Sequence, residues 1–288
     1  MSGSNDKVAL FTGADSAFLS LLDDLLSSLD GKAGGQVPGD FYVLDFGLTL
    51  DEVHGLKARY PWIKTVSIPY KEHERLLQAN LYKTMLPQFV PGCDIYGWVD
   101  ADIWFQDAST LDDLINIAPD RELNIIAEAH PAYSTHEAVT KWLHDTYGAM
   151  FVPEVAAEMA AKVPLNAGMF AARGSSTLWA RWQAMTLELF KNRAPGLVMD
   201  QGVLNYLIYK EGIPTARLPA ANNWMVHLAQ PVWDADTQTL YAPGNLNEPL
   251  RAIHLTADAK TGTFSVRCDD EVIETGFRYS DVRQNLMG

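Results

Sequence analysis

The chain has 288 residues, of which 48% are hydrophobic, 10% aromatic and 20% charged; that composition buries a large core and excludes a disordered or collagen-like chain. Lys and Arg total 22 against 36 Asp and Glu, and the formal net charge of −14 repels nucleic acid and anionic lipid alike. No nucleic-acid partner is expected, and an anionic small substrate needs a local device such as a metal ion to overcome this field.

The two cysteines, Cys93 and Cys268, are too few and too distant for a disulfide framework or a cysteine zinc cluster, so both are expected reduced. The opening Met1-Ser-Gly-Ser-Asn-Asp6 lacks the basic region of a signal peptide, and Asp23 and Asp24 interrupt the apolar run from Phe18 to Leu29. No stretch has the uninterrupted apolar length of a membrane span. A soluble cytoplasmic protein is expected, with at most peripheral contact with a membrane; oligomeric state is left open.

Along the chain, Lys7 to Thr12 reads as a strand, followed by a helix-period pattern through Phe18, Leu19, Leu22, Leu25, Leu26 and Leu29. The alternation continues with a strand over Phe41–Phe46, a helix from about Thr49 to Tyr60 and a strand over Ile63–Ile68. A longer amphipathic run from Lys71 to Phe89 follows, and Pro91-Gly92 separates it from a strand over Asp94–Val99. Repeated βα units predict a mainly parallel sheet with helices on its faces. In the second half, Leu123–Ala127 and Leu165–Ala172 read as buried strands, and helices are expected over His136–Met159, Thr177–Lys191 and Asp200–Lys210. From Leu218 the chain is loop-rich, with Pro219, Pro231, Pro243 and Pro249, before strand character returns at Leu250–Leu255. No internal repeat or low-complexity linker divides it.

Four segments carry residue types suited to chemistry. In Trp98-Val-Asp-Ala-Asp-Ile-Trp104, side chains at i and i+2 of an extended chain share a side, so Asp100 and Asp102 can converge on one hard cation at a strand end. Asp-x-Asp alone more often begins a solvated loop. The nucleophile motif of a haloacid-dehalogenase-like phosphatase would sit after the first strand with Thr or Val following, whereas this one is mid-chain before Ile103-Trp104. In Pro164-Leu-Asn-Ala-Gly-Met-Phe170, Asn166 and Gly168 interrupt an apolar strand; they suit either a polyhydroxylated ligand or a bulge in which Asn166 bonds backbone. Val198-Met-Asp-Gln-Gly202 reads as a helix start with Asp200 near the N-cap, which leaves Gln201 unexplained. In Ala252-Ile-His-Leu-Thr-Ala-Asp-Ala-Lys260, a strand-end His254 can join two carboxylates on a divalent ion, and Lys260 can hold a phosphate.

In this order the segments resemble glycosyltransferase family 8 on the GT-A fold, the group of glycogenin and bacterial lipopolysaccharide galactosyl- and glucosyltransferases. Phe11-Thr-Gly-Ala-Asp15 is similar to that family's uridine-binding first loop, and Tyr82-Lys83 with Leu86-Pro87 is similar to its Tyr-Arg before Leu-Pro. The Asp-x-Asp, the Asn-Ala-Gly strand at Asn166, Ala167 and Gly168, the Asp-Gln pair and the His254 to Lys260 spacing complete the likeness over roughly residues 8–260. Three positions depart from the pattern: Lys83 replaces an Arg, Gly202 a second acid and Ala257 a Gly.

The resemblance implies an α/β GT-A fold, Rossmann-like, with a mainly parallel sheet flanked by helices and an irregular C-terminal half. One domain over 1–288 is implied, its nucleotide-sugar part about 7–130 and its sugar and acceptor part about 131–288. The implied reaction is metal-dependent, retaining transfer from a UDP-sugar to a hydroxyl of a carbohydrate or glycolipid acceptor. Asp100, Asp102 and His254 would hold Mn2+ or Mg2+. Thr12, Gly13, Lys83, Asp100, Ala167, Gly168 and Lys260 would bind the donor, with Lys83 bridging sugar and phosphate and Lys260 on the diphosphate. Gln201, Asp200 and Asn166 would orient the sugar, with Gln201 near the anomeric face; a glutamine is a poor nucleophile, which favours front-side substitution. The alternative is a non-catalytic nucleotide-sugar or carbohydrate-binding protein of the same fold. A sugar-nucleotide pyrophosphorylase would carry a cationic Gly-rich loop, and a nicotinamide dehydrogenase Gly-x-Gly-x-x-Gly, where Thr12-Gly-Ala-Asp-Ser16 stands. Trp224, His227, Trp233 and Tyr241 either stack on an acceptor sugar or anchor the C-terminal loops.

Overall fold

The computed structural model of the protein describes residues 6–68, 80–134, 137–192, 199–268 and 271–287. The first half follows the βα alternation: β1 (Val8–Ala14), α1 (Leu19–Ala33), β2 (Asp40–Asp45), α2 (Leu50–Arg59), β3 (Ile63–Ser67) and β4 (Ile95–Val99). Local chemistry sets the boundaries. Asp15 accepts from the N–H groups of Ala17 and Phe18 in the turn before α1, and Gly34 ends that helix at φ 59. Thr49 opens α2 in a reciprocal capping box with Glu52. Most of the expected run from Lys71 lies outside the described residues; its end is the short helix α3 (Leu86–Phe89).

After β4 come β5 (Ile103–Phe105), α4 (Thr110–Ile115), β6 (Leu123–Ala127), α5 (Glu137–Met150), α6 (Pro153–Ala160), β7 (Leu165–Arg173), α7 (Leu178–Asn192), α8 (Met199–Lys210) and β8 (Thr215–Leu218). The largely helical stretch expected over 136–159 is built as two helices. Pro153 forces the preceding Val152 into an extended conformation, so α5 ends and α6 begins afresh with the proline in its first turn.

Seven strands form one sheet in the order β3-β2-β1-β4-β7-β6-β8, and its only antiparallel pairings are those of β7 with β4 and β6. The chain moves from β1 outward to β2 and β3, then returns to β4 on the other side of β1. That reversal opens a crevice at the C-terminal ends of β1 and β4, where open α/β sheets bind ligands. Strand residues alternate between two cores. Val8 and Leu10 pack with α1 and α2, whereas Ala9 and Phe11 pack on the opposite face with Trp182 and Leu204.

In β7 this alternation changes phase. Leu165 and Ala167 face the second core, but Met169 and Ala171 face the first, because the register with β6 jumps from Phe170 opposite Ile125 to Asn166 opposite Ile126. A bulge at Gly168 absorbs the difference.

The C-terminal part is more ordered than expected. It builds β9 (Trp224–Met225), β10 (Val232–Asp234), β11 (Thr239–Ala242), β12 (Asn245–Pro249), β13 (Ala252–His254), the hairpin β14 (Thr263–Cys268) with β15 (Glu271–Gly276), and α9 (Tyr279–Asn285). Strands β10, β11 and β12 form one small sheet, and β5, β13 and β9 another. Elements of two to seven residues leave too little periodicity to be read from sequence. Trp224 and Trp233 are buried in the core of this region, which makes them anchors of its loops. Asp24 of α1 holds α9 in place by accepting from Arg278 Nε at 2.7 Å and Ser280 N at 3.1 Å. Cys93 is free and buried. No helix among the described residues is long and apolar enough to cross a membrane.

Candidate active site

Strand pairing brings distant motifs to the crevice edge. The antiparallel register of β4 with β7 sets Val99 against Met169, and Asp100 N then donates to Gly168 O at 2.7 Å. In the small sheet, β13 runs antiparallel to β5 with His254 opposite Ile103, the residue after Asp102, and Leu255 N donates to Asp102 O at 2.9 Å. The result is that His254 Nε2 stands 3.3 Å from Asp102 Oδ1 and 4.0 Å from Asp100 Oδ2.

Each carboxylate is oriented by named partners. Asp100 Oδ1 accepts from Trp98 Nε1 at 2.7 Å and from Lys83 Nζ at 2.9 Å, which turns Oδ2 toward His254. Asp102 places Oδ1 on His254 and Oδ2 on Lys260 Nζ at 2.8 Å. Burial would raise the Asp102 carboxyl, but the His254 ring and the Lys260 ammonium outweigh it and hold it well below the usual carboxylate range. His254 Nδ1 is buried without a partner, so the Nε2 side alone orients the ring.

Lys83 is expected to bridge sugar and phosphate; the structure gives it another task. Its ammonium has three donors, and they meet Asp100 Oδ1, Asp200 Oδ2 at 3.0 Å and Ala167 O at 3.4 Å. All three are engaged within the protein. Burial would lower this ammonium, and the two carboxylates reverse the effect and hold it above the usual lysine range. Asp200, expected near a helix N-cap, is the second residue of α8, and its Oδ2 pairs with Lys83.

One functional residue is absent from the sequence reading. Glu128, directly after β6, accepts on Oε1 from Asn166 Nδ2 at 2.9 Å and from Gln201 Nε2 at 3.0 Å. A carboxylate only accepts, so these bonds fix both amides: Asn166 Oδ1 takes the Gly168 N–H and Asn223 Nδ2, and Gln201 Oε1 takes the Ala167 N–H. Burial pushes the Glu128 carboxyl above its usual range, and the bonds from Asn166 and Gln201 offset only part of that. Its signal was an acid ending an apolar strand, the same signal that marked Asp100. The bulge alternative for Asn166 is thus present, since it bonds backbone, and its remaining capacity joins Glu128 to Asn223.

Of the other expected positions, Thr12 is fully buried with an unpartnered Oγ1, and Gly13 leaves room for the Phe46 ring, 2.3 Å from where a Cβ would sit. Both lie in β1, whose Phe11 is opposite Trp98 of β4, so β1 ends on the same sheet edge as Asp100. At Gly202 the tip of the Met150 side chain occupies the space beside the Cα, its Cε 2.2 Å from where a Cβ would sit. Ala257, in place of a glycine, holds φ 51, the left-handed conformation that glycine adopts without strain.

Asp100, Asp102 and His254 each offer a ligand atom, and these atoms all lie within 4.8 Å of one another, the one such group among the described residues. Ligands of an octahedral ion bound at about 2.1 Å are about 3–4 Å apart, and two carboxylates with an imidazole suit Mn2+. A further observation is the space beside Gly168: a Cβ there would lie 2.6 Å from Asn166 Oδ1, 2.6 Å from His254 Cε1 and 2.8 Å from Asp100 Oδ2. The glycine keeps that cradle open. These residues fit a divalent cation.

No protein-family model and no curated protein matches the sequence. Solved structures do match. The galactosyltransferase LgtC in complex with donor and acceptor sugar analogues is similar with a TM-score of 0.57 and 14% identity over 87% of this chain and 88% of that one. An active-site glutamine-to-glutamate mutant of LgtC gives 0.57 and 14% identity over 86% and 87%. The bifunctional glycosyltransferase WbbM gives 0.55 and 12% identity over 89% of this chain, which spans 47% of WbbM. The chain has the GT-A glycosyltransferase fold. In this GT-A fold the Asp100, Asp102 and His254 cluster is a candidate metal site of Asp-x-Asp type, at the crevice where β1 and β4 end.

Proposed function

We propose that the protein is a metal-dependent retaining glycosyltransferase moving a sugar from a UDP-sugar to a hydroxyl of a carbohydrate or glycolipid acceptor. One observation carries the reading: two carboxylates and an imidazole from separate parts of the chain converge within 4.8 Å at the crevice edge of a GT-A sheet. A divalent cation held there, Mn2+ or Mg2+, would supply the positive charge that the leaving diphosphate needs in a chain of net charge −14.

The chain's own residues do the rest. Asp100, Asp102 and His254 are the cation's ligands, and Lys260 is the cation for the diphosphate. Asn166, Gln201 and Asp200 orient the sugar, the two amides in the direction that Glu128 imposes. Lys83 acts through Asp100 and Asp200, which it ties together. Gln201 lacks the nucleophilicity for a covalent intermediate, so retention is assigned to front-side substitution. The proposal includes a single catalytic domain with the donor part over about 7–130 and the acceptor part over about 131–288, and a cytoplasmic location.

The test is UDP release from a panel of UDP-sugars with Mn2+, comparing the protein with Asp102→Ala. Release that needs the metal and falls at least about 100-fold in the variant is expected, the upper range for loss of metal-site groups. Equal turnover in the variant, or no hydrolysis or transfer with any donor, refutes the enzyme; metal-dependent UDP binding without turnover points to the carbohydrate-binding alternative.

A further inference from the structure

Two lysines neutralise the acidic cluster, and they differ in kind. Lys83 has a side chain only 9% exposed and spends every donor on fixed acceptors, so it is part of the framework. Lys260 makes one ion pair, to Asp102 Oδ2 at 2.8 Å, from a side chain 32% exposed at the end of a four-residue 3-10 turn, Ala257–Lys260. Its ammonium lies 5.8 Å from the ring centre of Phe18, itself 41% exposed, so it can leave Asp102 without unpacking the core.

Asp102 has no spare oxygen: Oδ1 is on His254 and Oδ2 is on Lys260. Its side chain is only 11% exposed, so it cannot turn outward to present another face. An ion bound at about 2.1 Å to Oδ1, the oxygen beside His254, would sit within about 7 Å of the ammonium held by Oδ2 of the same carboxylate. In a site this enclosed, two cations at that separation repel strongly. Each therefore weakens the other's hold on Asp102. A diphosphate changes the balance, because its oxygens can accept from the lysine and ligate the ion at once.

We propose that Lys260 is an internal placeholder for the metal on Asp102, released by the diphosphate, so that cation and nucleotide bind cooperatively. This rests on the metal-site reading above. It assigns Lys260 two positions: on Asp102 while the site is empty of nucleotide, and on the diphosphate afterwards. The coupling is reciprocal, so Mn2+ tightens UDP by the same factor by which UDP tightens Mn2+.

The experiment is a Mn2+ titration followed by loss of the free-ion electron paramagnetic resonance signal, without and with saturating UDP, on the full chain. For the unaltered protein, UDP is expected to tighten Mn2+ by about tenfold or more, within the usual range of coupling. Lys260→Met is expected to bind Mn2+ alone about 5- to 10-fold more tightly than the unaltered protein, and to lose most of the enhancement by UDP. Lys141→Met, which removes the same charge from an exposed helix face, controls for the overall field and is expected to change neither quantity by more than about twofold. Lys260→Gln serves if the methionine variant does not fold.

Mn2+ affinity that is unchanged or weaker in Lys260→Met, or a full UDP enhancement in it, overturns the placeholder while leaving the metal site standing. Failure of the unaltered protein to bind Mn2+ even with UDP overturns both.

Discussion

Gly168→Ala replaces a hydrogen by a methyl group where the structure has little room for it. Its Cβ would lie 2.6 Å from Asn166 Oδ1, 2.6 Å from His254 Cε1 and 2.8 Å from Asp100 Oδ2, and uncrowded carbon contacts need about 3.5 Å. Each neighbour must give by about 0.7–0.9 Å. None gives easily: Asn166 is held by Glu128, Gly168 N and Asn223, Asp100 by Trp98 and Lys83, and His254 by its place in β13. Overpacking of this kind costs about 1–3 kcal/mol, which at about 2–4 °C per kcal/mol lowers the melting temperature by about 2–12 °C. The larger effect is on the cation site, where displacing two of the three ligands is expected to weaken Mn2+ at least about tenfold. Thermal melts and the Mn2+ titration with UDP measure the two effects separately. Gly97→Ala is the control, since its Cβ would meet Leu10 Cδ2 at 2.5 Å in the core, and it should lose stability with Mn2+ affinity retained. A folded Gly168→Ala variant that binds Mn2+ as tightly as the unaltered protein would refute the cradle.

Three further outcomes are expected. Lys83→Met strands Asp100 and Asp200 without their shared cation and should cost about 3–5 kcal/mol in urea unfolding; adding Asp200→Asn should recover part of it, and strictly additive losses would show that the pairs do not interact. Glu128→Gln keeps an amide oxygen for Asn166 and Gln201 and removes the buried charge. Because burial raises the native carboxyl above its ordinary 4.5, the unaltered protein loses stability as pH rises from about that value through the raised one. The variant's relative melting temperature should therefore climb from pH 4 to pH 7, and a flat difference would refute it. Gly55→Ala, in the exposed middle of α2 with nothing within 4 Å of its Cβ, should stabilise by about 0.5–1 kcal/mol in the same unfolding assay, and any loss would contradict the open space seen there.

Much of the first half was legible because its signals are local. Apolar spacing marked β1, β2, β3 and β4 with their helices, including the one from about Thr49, and the acids after β4 announced a strand end facing a crevice. Asp100, Asp102 and His254 were named by residue type and position, and the structure brings them together.

What the chain order could not express is which side chain occupies which. Lys83 and Lys260 both read as cations for a ligand, yet one is locked between two carboxylates and a carbonyl and the other rests on Asp102. Asp200 read as a residue near a helix N-cap, and the fold adds Lys83 beside it. Glu128, and Asn223 with it, had no motif, because their meaning comes from β6 lying next to a bulged, antiparallel β7. Hydrophobic period is a property of neighbours along the chain and survives in the sequence by itself. Polar partnership is a property of neighbours across strands, and only the closed sheet, with its bulge at Gly168 and the short β5–β13 pairing, decides it.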